Sequence, residues 1–191
     1  MIKINQELLD ELTRISKKAG AAIIKVYESG DLGVTHKDDE IHSPLTRADT
    51  EANNIIIKEL SLFSPKTPVL SEEIKEAPFS EREGWREFFL VDPLDGTKEF
   101  IKQNDQFTVN IALIRDGIPI AGVVYAPALH TTYVGATGLG AFKDTGSGFK
   151  KITTSDYRDK KLKLVASSSH RGTSVDKLIS NINDAGAEVS C

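Results

Sequence analysis

The stretch Val91-Asp92-Pro93-Leu94-Asp95-Gly96-Thr97-Lys98-Glu99-Phe100 governs how the rest of the chain is read. It continues the apolar run Phe88-Phe89-Leu90-Val91, four residues that suit a strand buried on both faces. Proline disfavours helical geometry in the residue before it. Asp92 is therefore expected to be extended, with the strand persisting up to that carboxylate and stopping there. Gly96 permits a tight turn, and Thr97 onward can start a helix. Asp92 and Asp95, on either side of Pro93-Leu94 at a strand's end, can converge on one point. A second apolar run, Pro68-Val69-Leu70-Ser71, ends at Glu72-Glu73, and either glutamate would add a third negative charge. At about 4 Å and an effective dielectric near 20, each like-charge pair costs on the order of 4 kcal/mol, so such a knot demands a cation. Ligands that are all oxygen point to magnesium, with manganese or calcium as weaker candidates.

Upstream of this stretch the pattern is helical. Ile4, Leu8, Leu12, Ile15, Ala19, Ile23 and Val26 recur every three or four residues, the stripe of one amphipathic helix that Ser29-Gly30-Asp31 ends. Thr46 and Asp49 have capping-box spacing, and Ala52, Ile55, Ile56, Leu60 and Phe63 continue a second helix up to Ser64-Pro65. Downstream the period changes to two. Phe107, Val109, Ile111 and Leu113 alternate with smaller residues, Arg115-Asp116-Gly117 turns, and Ile118 to Tyr125 returns as the partner of an antiparallel hairpin. Thr131 to Gly135, Gly140 to Lys143 and Lys163 to Ser167 read as further strands, and Thr173 to Ile182 as a third helix. Asp144 to Gly148 reads either as a linker or as a hairpin tip. Helix, helix, many strands, helix is an α+β order with layered sheets and helices.

Composition narrows the function classes. A chain of 191 residues, 39% of them in the apolar set and 27% charged, is ordinary for one globular domain with a core of its own. With 24 basic residues against 28 acidic ones and a net charge of -4, and with no block of basic residues, a nucleic-acid polymer is not the expected partner. The N-terminus carries Glu7, Asp10, Glu11 and Arg14 where a signal peptide needs an unbroken apolar stretch, and no apolar run long enough for an integral membrane segment follows. The single cysteine, Cys191, allows no intrachain disulfide. A soluble protein of the reducing cytoplasm is expected.

Asp, Pro, Gly and Thr all favour turns, and an Asp-Gly between apolar runs is ordinarily a surface turn. The pattern D-P-x-D-G-T, however, fixes five letters, so over about 190 windows a chance match has probability on the order of 6 in 100,000. The segment resembles the signature of the inositol monophosphatase superfamily, lithium-sensitive and magnesium-dependent phosphatases. Ser43-Pro44-Leu45-Thr46-Arg47-Ala48-Asp49, Leu70-Ser71-Glu72-Glu73 and Ala136-Thr137-Gly138-Leu139-Gly140-Ala141-Phe142 are similar to three further motifs of that family, in the same order. Asp95 to Lys102, followed by Phe107-Thr108-Val109-Asn110-Ile111-Ala112-Leu113, is similar to the branch of CysQ-type 3'(2'),5'-bisphosphate nucleotidases; inositol phosphatases usually carry T-N-F where this chain has Lys98-Glu99-Phe100.

The resemblance implies the layered α/β/α/β fold of the sugar phosphatases, mainly its N-terminal half, with residues 1–191 as the metal-binding, catalytic domain. It implies that Glu72, Asp92, the backbone carbonyl of Leu94, and Asp95 hold two or three magnesium ions, with Asp92 bridging two. Thr97 and Asp49 would orient and deprotonate the attacking water. Substrate would lie against Glu72, Leu94 and Asp95, with the Gly96 and Thr97 amides at a helix start receiving phosphate oxygens. The activity implied is removal of the 3'-phosphate from adenosine 3',5'-bisphosphate, a step that clears a by-product of sulfate assimilation. Alternatives are an inositol-1-phosphate phosphatase, or a catalytically weak fragment acting as a binding or dimerising module. A small phosphomonoester is the expected partner, and the family leaves room for a homodimer. The family's W-D-x-A-A motif, which carries a fourth acidic ligand in a C-terminal domain, has no counterpart here, since Trp85 is the sole tryptophan. The chain therefore reads as truncated at its C-terminus, with weak second-metal affinity and little activity expected. His36, His42 and His170, with Ser167, Ser168 and Ser169, read as loop or strand-end residues, since no G-x-S-x-G elbow accompanies them. Gly138-Leu139-Gly140 lacks the third glycine of a dinucleotide fingerprint.

Overall fold

The computed structural model describes residues 1–36, 44–75, 77–154, 161–164, 173–184 and 188–190. They fall into two compact units, Met1–Ile152 and Thr153–Cys191. In the first, the order is α1 (Gln6–Ser29), β1 (Thr35–His36), β2 (Pro44–Leu45), α2 (Arg47–Phe63), β3 (Val69–Ser71), α3 (Phe79–Arg82), β4 (Glu87–Asp95), α4 (Thr97–Ile101), β5 (Thr108–Arg115), β6 (Ile118–Ala126), β7 (Thr131–Ala136), β8 (Gly140–Asp144) and β9 (Lys150–Ile152). The second has β10 (Lys161–Lys163), α5 (Thr173–Asp184) and β11 (Glu188–Ser190), with β10 and β11 paired in parallel around the intervening helix. Among the described residues, no helix is long and apolar enough to cross a membrane.

Strands β3 to β9 form one seven-stranded sheet in sequential order, antiparallel except for the parallel pair β3–β4. Helix α1 starts where the Asn5 side chain accepts the Leu8 amide at 3.1 Å, and it ends at Gly30 with φ +72°. Its predicted stripe is buried, and with Ala48, Ala52, Ile56 and Leu60 of α2 it packs on one face of the sheet against Phe89, Val91, Val109, Ile111 and Leu113. Gly20 lets α1 approach closely, since a methyl group there would overlap the Tyr125 ring of β6. The β5–β6 hairpin closes through Asp116-Gly117, whose φ values of 49° and 78° make the primed turn that matches strand twist.

Three expectations are corrected. The Phe88–Val91 run is not buried on both faces. Phe89 and Val91 lie beneath the helices, whereas Leu90 on the opposite face is 44% exposed. Pairing also does not stop at Asp92. It skips and resumes at Asp95, with Asp92 opposite Asn110 and Asp95 opposite Thr108, so Pro93-Leu94 stand against Val109 alone. That is a β-bulge, a place where proline's missing N–H costs no ladder hydrogen bond. Finally, of the two readings of Asp144 to Gly148, the hairpin tip holds: the Asp144 carboxylate accepts the Gly146 and Gly148 amides at 2.8 and 2.9 Å, and the unit boundary falls later, after Ile152. The strand expected over Lys163 to Ser167 is found at Lys161–Lys163; Leu164 is not part of it, and residues 165–167 lie outside the described residues, as do Ser43, His42, Ser168, Ser169 and His170.

Candidate metal centre

The acids are delivered by three elements meeting at one end of the sheet. In the parallel pair β3–β4, Ser71 is in register with Val91, and the Glu72 amide donates to the Val91 carbonyl at 3.2 Å. The next residue on each strand is therefore Glu72 on one side and Asp92 on the other. Ser71 is itself anchored: its buried hydroxyl donates to the buried Asn53 carbonyl oxygen of α2 at 2.7 Å. Past the bulge, pairing resumes at Asp95, opposite Thr108, and its charge also bears on Asp92.

Asp49 arrives from the first turn of α2. It is buried, and its Oδ2 accepts both the Thr46 amide at 2.8 Å and the Thr46 hydroxyl at 2.5 Å. With Oδ2 so held, Oδ1 faces the Thr97 hydroxyl at 3.4 Å. That hydroxyl also lies 3.3 Å from the Leu94 carbonyl, and with one proton it can donate to only one of the two at a time. Thr97 can be brought there because Gly96 has φ +93°, a conformation that side chains resist, and because a Cβ at Gly96 would lie 2.7 Å from the Gln106 carbonyl.

The electrostatics centre on Asp92. Its half-buried carboxyl is pushed up to about 7, first by burial, then by the charges of Glu72 and Asp95, with Asp49 adding to the same field; the Leu94 amide, 3.2 Å away, opposes them. Three carboxylates thus act on a fourth, and among the described residues no cationic side chain is one of the groups acting on it. Of the two glutamates left open by spacing, Glu72 is one whose charge bears on Asp92. Among the described residues, no three His, Cys, Asp or Glu side chains are yet drawn into a ready-made cage. Glu72 and Asp95 are exposed, and Asp95 Oδ2 accepts the Asn110 side-chain amide at 3.2 Å. Crowded carboxylates with an all-oxygen donor set suit magnesium in chemistry and in charge.

A cavity of about 510 Å³ opens beside this centre on the sheet face away from α1 and α2. Glu72, Asp92 and Asn110 sit at its polar end, and Leu70, Leu90 and Val124 form its apolar floor; Asp95 is not in its lining. The sequence reading missed the polar supports of the acids. Asn53, Ser71, Thr108 and Asn110 carry no motif spacing that announces their support of the acids, though Ser71, Thr108 and Asn110 lie within stretches already singled out for their family resemblance.

The sequence pattern of the inositol monophosphatase family matches residues 4–188. The chain is 41% identical over 178 residues to the 3'(2'),5'-bisphosphate nucleotidase CysQ of Buchnera aphidicola, covering 93% of this chain and 65% of that protein. It is 46% identical over 153 residues to the Escherichia coli protein of the same name, covering 79% of this chain and 60% of that one. The chain thus spans less than two thirds of these relatives. In structure it is similar to CysQ from Bacteroides thetaiotaomicron, described as a bacterial member of the inositol monophosphatase family, with a TM-score of 0.79, 34% identity, and coverage of 98% of this chain and 72% of the other.

Proposed function

The chain belongs to the inositol monophosphatase family, and we propose that it is a magnesium-dependent phosphomonoester hydrolase that takes the 3'-phosphate from adenosine 3',5'-bisphosphate, giving AMP and phosphate. The observation that carries this reading is the convergence of Glu72, Asp95 and Asp49 on Asp92, with Thr97 hydrogen-bonded to Asp49 beside them. The nucleotide is preferred to an inositol phosphate because the relatives at 41% and 46% identity bear the name 3'(2'),5'-bisphosphate nucleotidase, and because Lys98-Glu99-Phe100 departs from the inositol-phosphatase pattern.

In this reading Glu72, Asp92, the Leu94 carbonyl and Asp95 would hold two or three magnesium ions. When bound, magnesium supplies Lewis-acid stabilisation of the charge that develops on the phosphate. Asp49, kept in place by Thr46, accepts the Thr97 proton at Oδ1 as Thr97 Oγ1 takes one from the attacking water. The Gly96 and Thr97 amides receive phosphate oxygens, and the glycine leaves the backbone there uncovered. We place the reaction in the cytoplasm, where it clears a by-product of sulfate assimilation, with a homodimer as the assembly to check by sedimentation.

The test compares phosphate release from adenosine 3',5'-bisphosphate and from inositol 1-phosphate by the purified protein with magnesium, with and without lithium. Release is expected from the nucleotide, suppressed by lithium and lost in Asp95→Asn with an unchanged circular-dichroism spectrum. Activity retained in Asp95→Asn would remove Asp95 from the metal site, and a preference for inositol 1-phosphate would reassign the substrate. No release and no heat on titrating magnesium and nucleotide would leave a binding or dimerising module.

A further inference from the structure

The opening of β5, Thr108-Val109-Asn110, contributes nothing to the chemistry described so far. Its first and third residues project to the same side of the strand, the side opposite buried Val109. They stand where β4 is irregular: Asn110 is in register with Asp92, and Thr108 with Asp95. Across that bulge, Asn110 Nδ2 donates to Asp95 Oδ2 at 3.2 Å, and Thr108 Oγ1 donates to Asn110 Oδ1 at 3.1 Å.

The direction of this line of hydrogen bonds is dictated by chemistry. An ionised carboxylate only accepts, so the amide must turn its NH₂ toward Asp95. The amide oxygen then faces Thr108, whose hydroxyl has a proton to give. Asp95 is exposed and sits beyond a break in the ladder, so packing does little to restrict its carboxylate. An ion that must first freeze a freely rotating ligand loses affinity, and a partner that freezes it beforehand restores it.

We infer that Asn110 is a positioning residue for the metal centre: with its amide locked by Thr108, it holds the Asp95 carboxylate in one orientation and so sets magnesium affinity without touching ion or substrate. This rests on the function proposed above.

Calorimetric titration of magnesium chloride into the purified protein tests it. Asn110→Ala is expected to bind magnesium about 10- to 100-fold more weakly, the usual effect of removing an outer-shell partner, while the urea midpoint of the metal-free protein stays at the wild-type value. Thr108→Val should weaken binding by a smaller factor, and Thr108→Ser, which keeps the hydroxyl, should bind as wild type does. In the Asn110→Ala background, Thr108→Val should add nothing, since the two act through one contact. A merely structural role would shift the urea midpoint and would not separate serine from valine. Wild-type affinity in Asn110→Ala, or equal losses in the two Thr108 variants, would overturn the inference. Absence of magnesium heat from the wild type would instead defeat the proposed function. The relay would then be judged alone from the NMR signals of the Asn110 side-chain amide, which should shift on Asp95→Asn and not on Asp116→Asn; signals indifferent to Asp95→Asn would refute it.

Discussion

The two ends of β4 handle negative charge in opposite ways. At its start, Glu87 is matched with cations and donors: Arg115 reaches it at 2.6 Å, and the Ile2 amide donates to it at 2.7 Å. Beside it, Arg86 and Asp116 pair at 3.0 Å where the start of β4 meets the end of β5. At the other end, Asp92 faces Glu72, Asp95 and Asp49. The first arrangement is a fastening that is complete in the folded chain. The second is a set of like charges that act on Asp92 and raise the cost of ionising it in the metal-free fold. A structural acid and a functional acid are told apart by the sign of what surrounds them, on one strand of nine residues.

Asp92→Asn should have the largest effect and would break the comparison if it failed. Loss of this charge is expected to lower the rate of phosphate release by roughly 10³-fold, about 4 kcal/mol of transition-state stabilisation. The same change should raise the melting temperature of the metal-free protein, because the amide removes repulsion. A variant less stable than wild type without magnesium would show that Asp92 is no burden. At the opposite end, Arg115→Met should cost stability. It leaves Glu87, whose side chain is 8% exposed, without its cation, and because Arg115 is itself 24% exposed the loss should be about 2–3 kcal/mol, below the range for a fully buried pair. Urea unfolding should register that loss equally with and without magnesium.

A gentler effect is expected from pH, and it sharpens the contrast because the signs oppose. Asp92 titrates near 7 in the folded chain against an ordinary 3.8, so between those values the folded state binds the proton more tightly and metal-free stability falls as pH rises. Glu59 runs the other way. Lys18 first, then Arg14, hold it down to about 2 from 4.5, so its contribution is present above pH 4.5 and disappears as pH falls toward 2. Melting curves should show the fall of stability between pH 3.8 and about 7 flattened in Asp92→Asn and the slope between about 2 and 4.5 flattened in Glu59→Gln. Magnesium affinity should also drop below pH 7, where a proton competes for Asp92.

Much of this contrast was legible in the chain. The helical stripe from Leu8 to Val26 and the alternation from Phe107 to Leu113 are periodic, and a period survives in one dimension. Asp92, Asp95 and Asp49 were found because they stand in a dense motif. What escaped were interactions between distant elements, which leave no spacing behind: Asn53 with Ser71, and Asn110 with Asp95. Pro93 was correctly read as a disturbance, but whether a disturbed strand ends or bulges depends on its neighbour, and β5 runs on to pair with Asp95. Burial of Phe88–Val91 on both faces was likewise a guess about neighbours, and Leu90 shows that one was absent on that side.

The smallest effect tests whether the acidic end carries any fastening of its own. Ser71 and Asn53 are 2% and 5% exposed, and their 2.7 Å hydrogen bond ties β3 to α2 directly beneath Glu72. Ser71→Ala would leave the Asn53 oxygen buried with its partner lost, which should cost about 1–2 kcal/mol in urea unfolding. The Glu73 amide, 3.4 Å from the same hydroxyl, would loosen with it. Magnesium affinity should fall by less than in Asn110→Ala, because Glu72 keeps its amide bond to the Val91 carbonyl. An unchanged urea midpoint would mean that the site is carried by the strands alone, and that the neutral polar tie under Glu72 contributes nothing to holding its charges together.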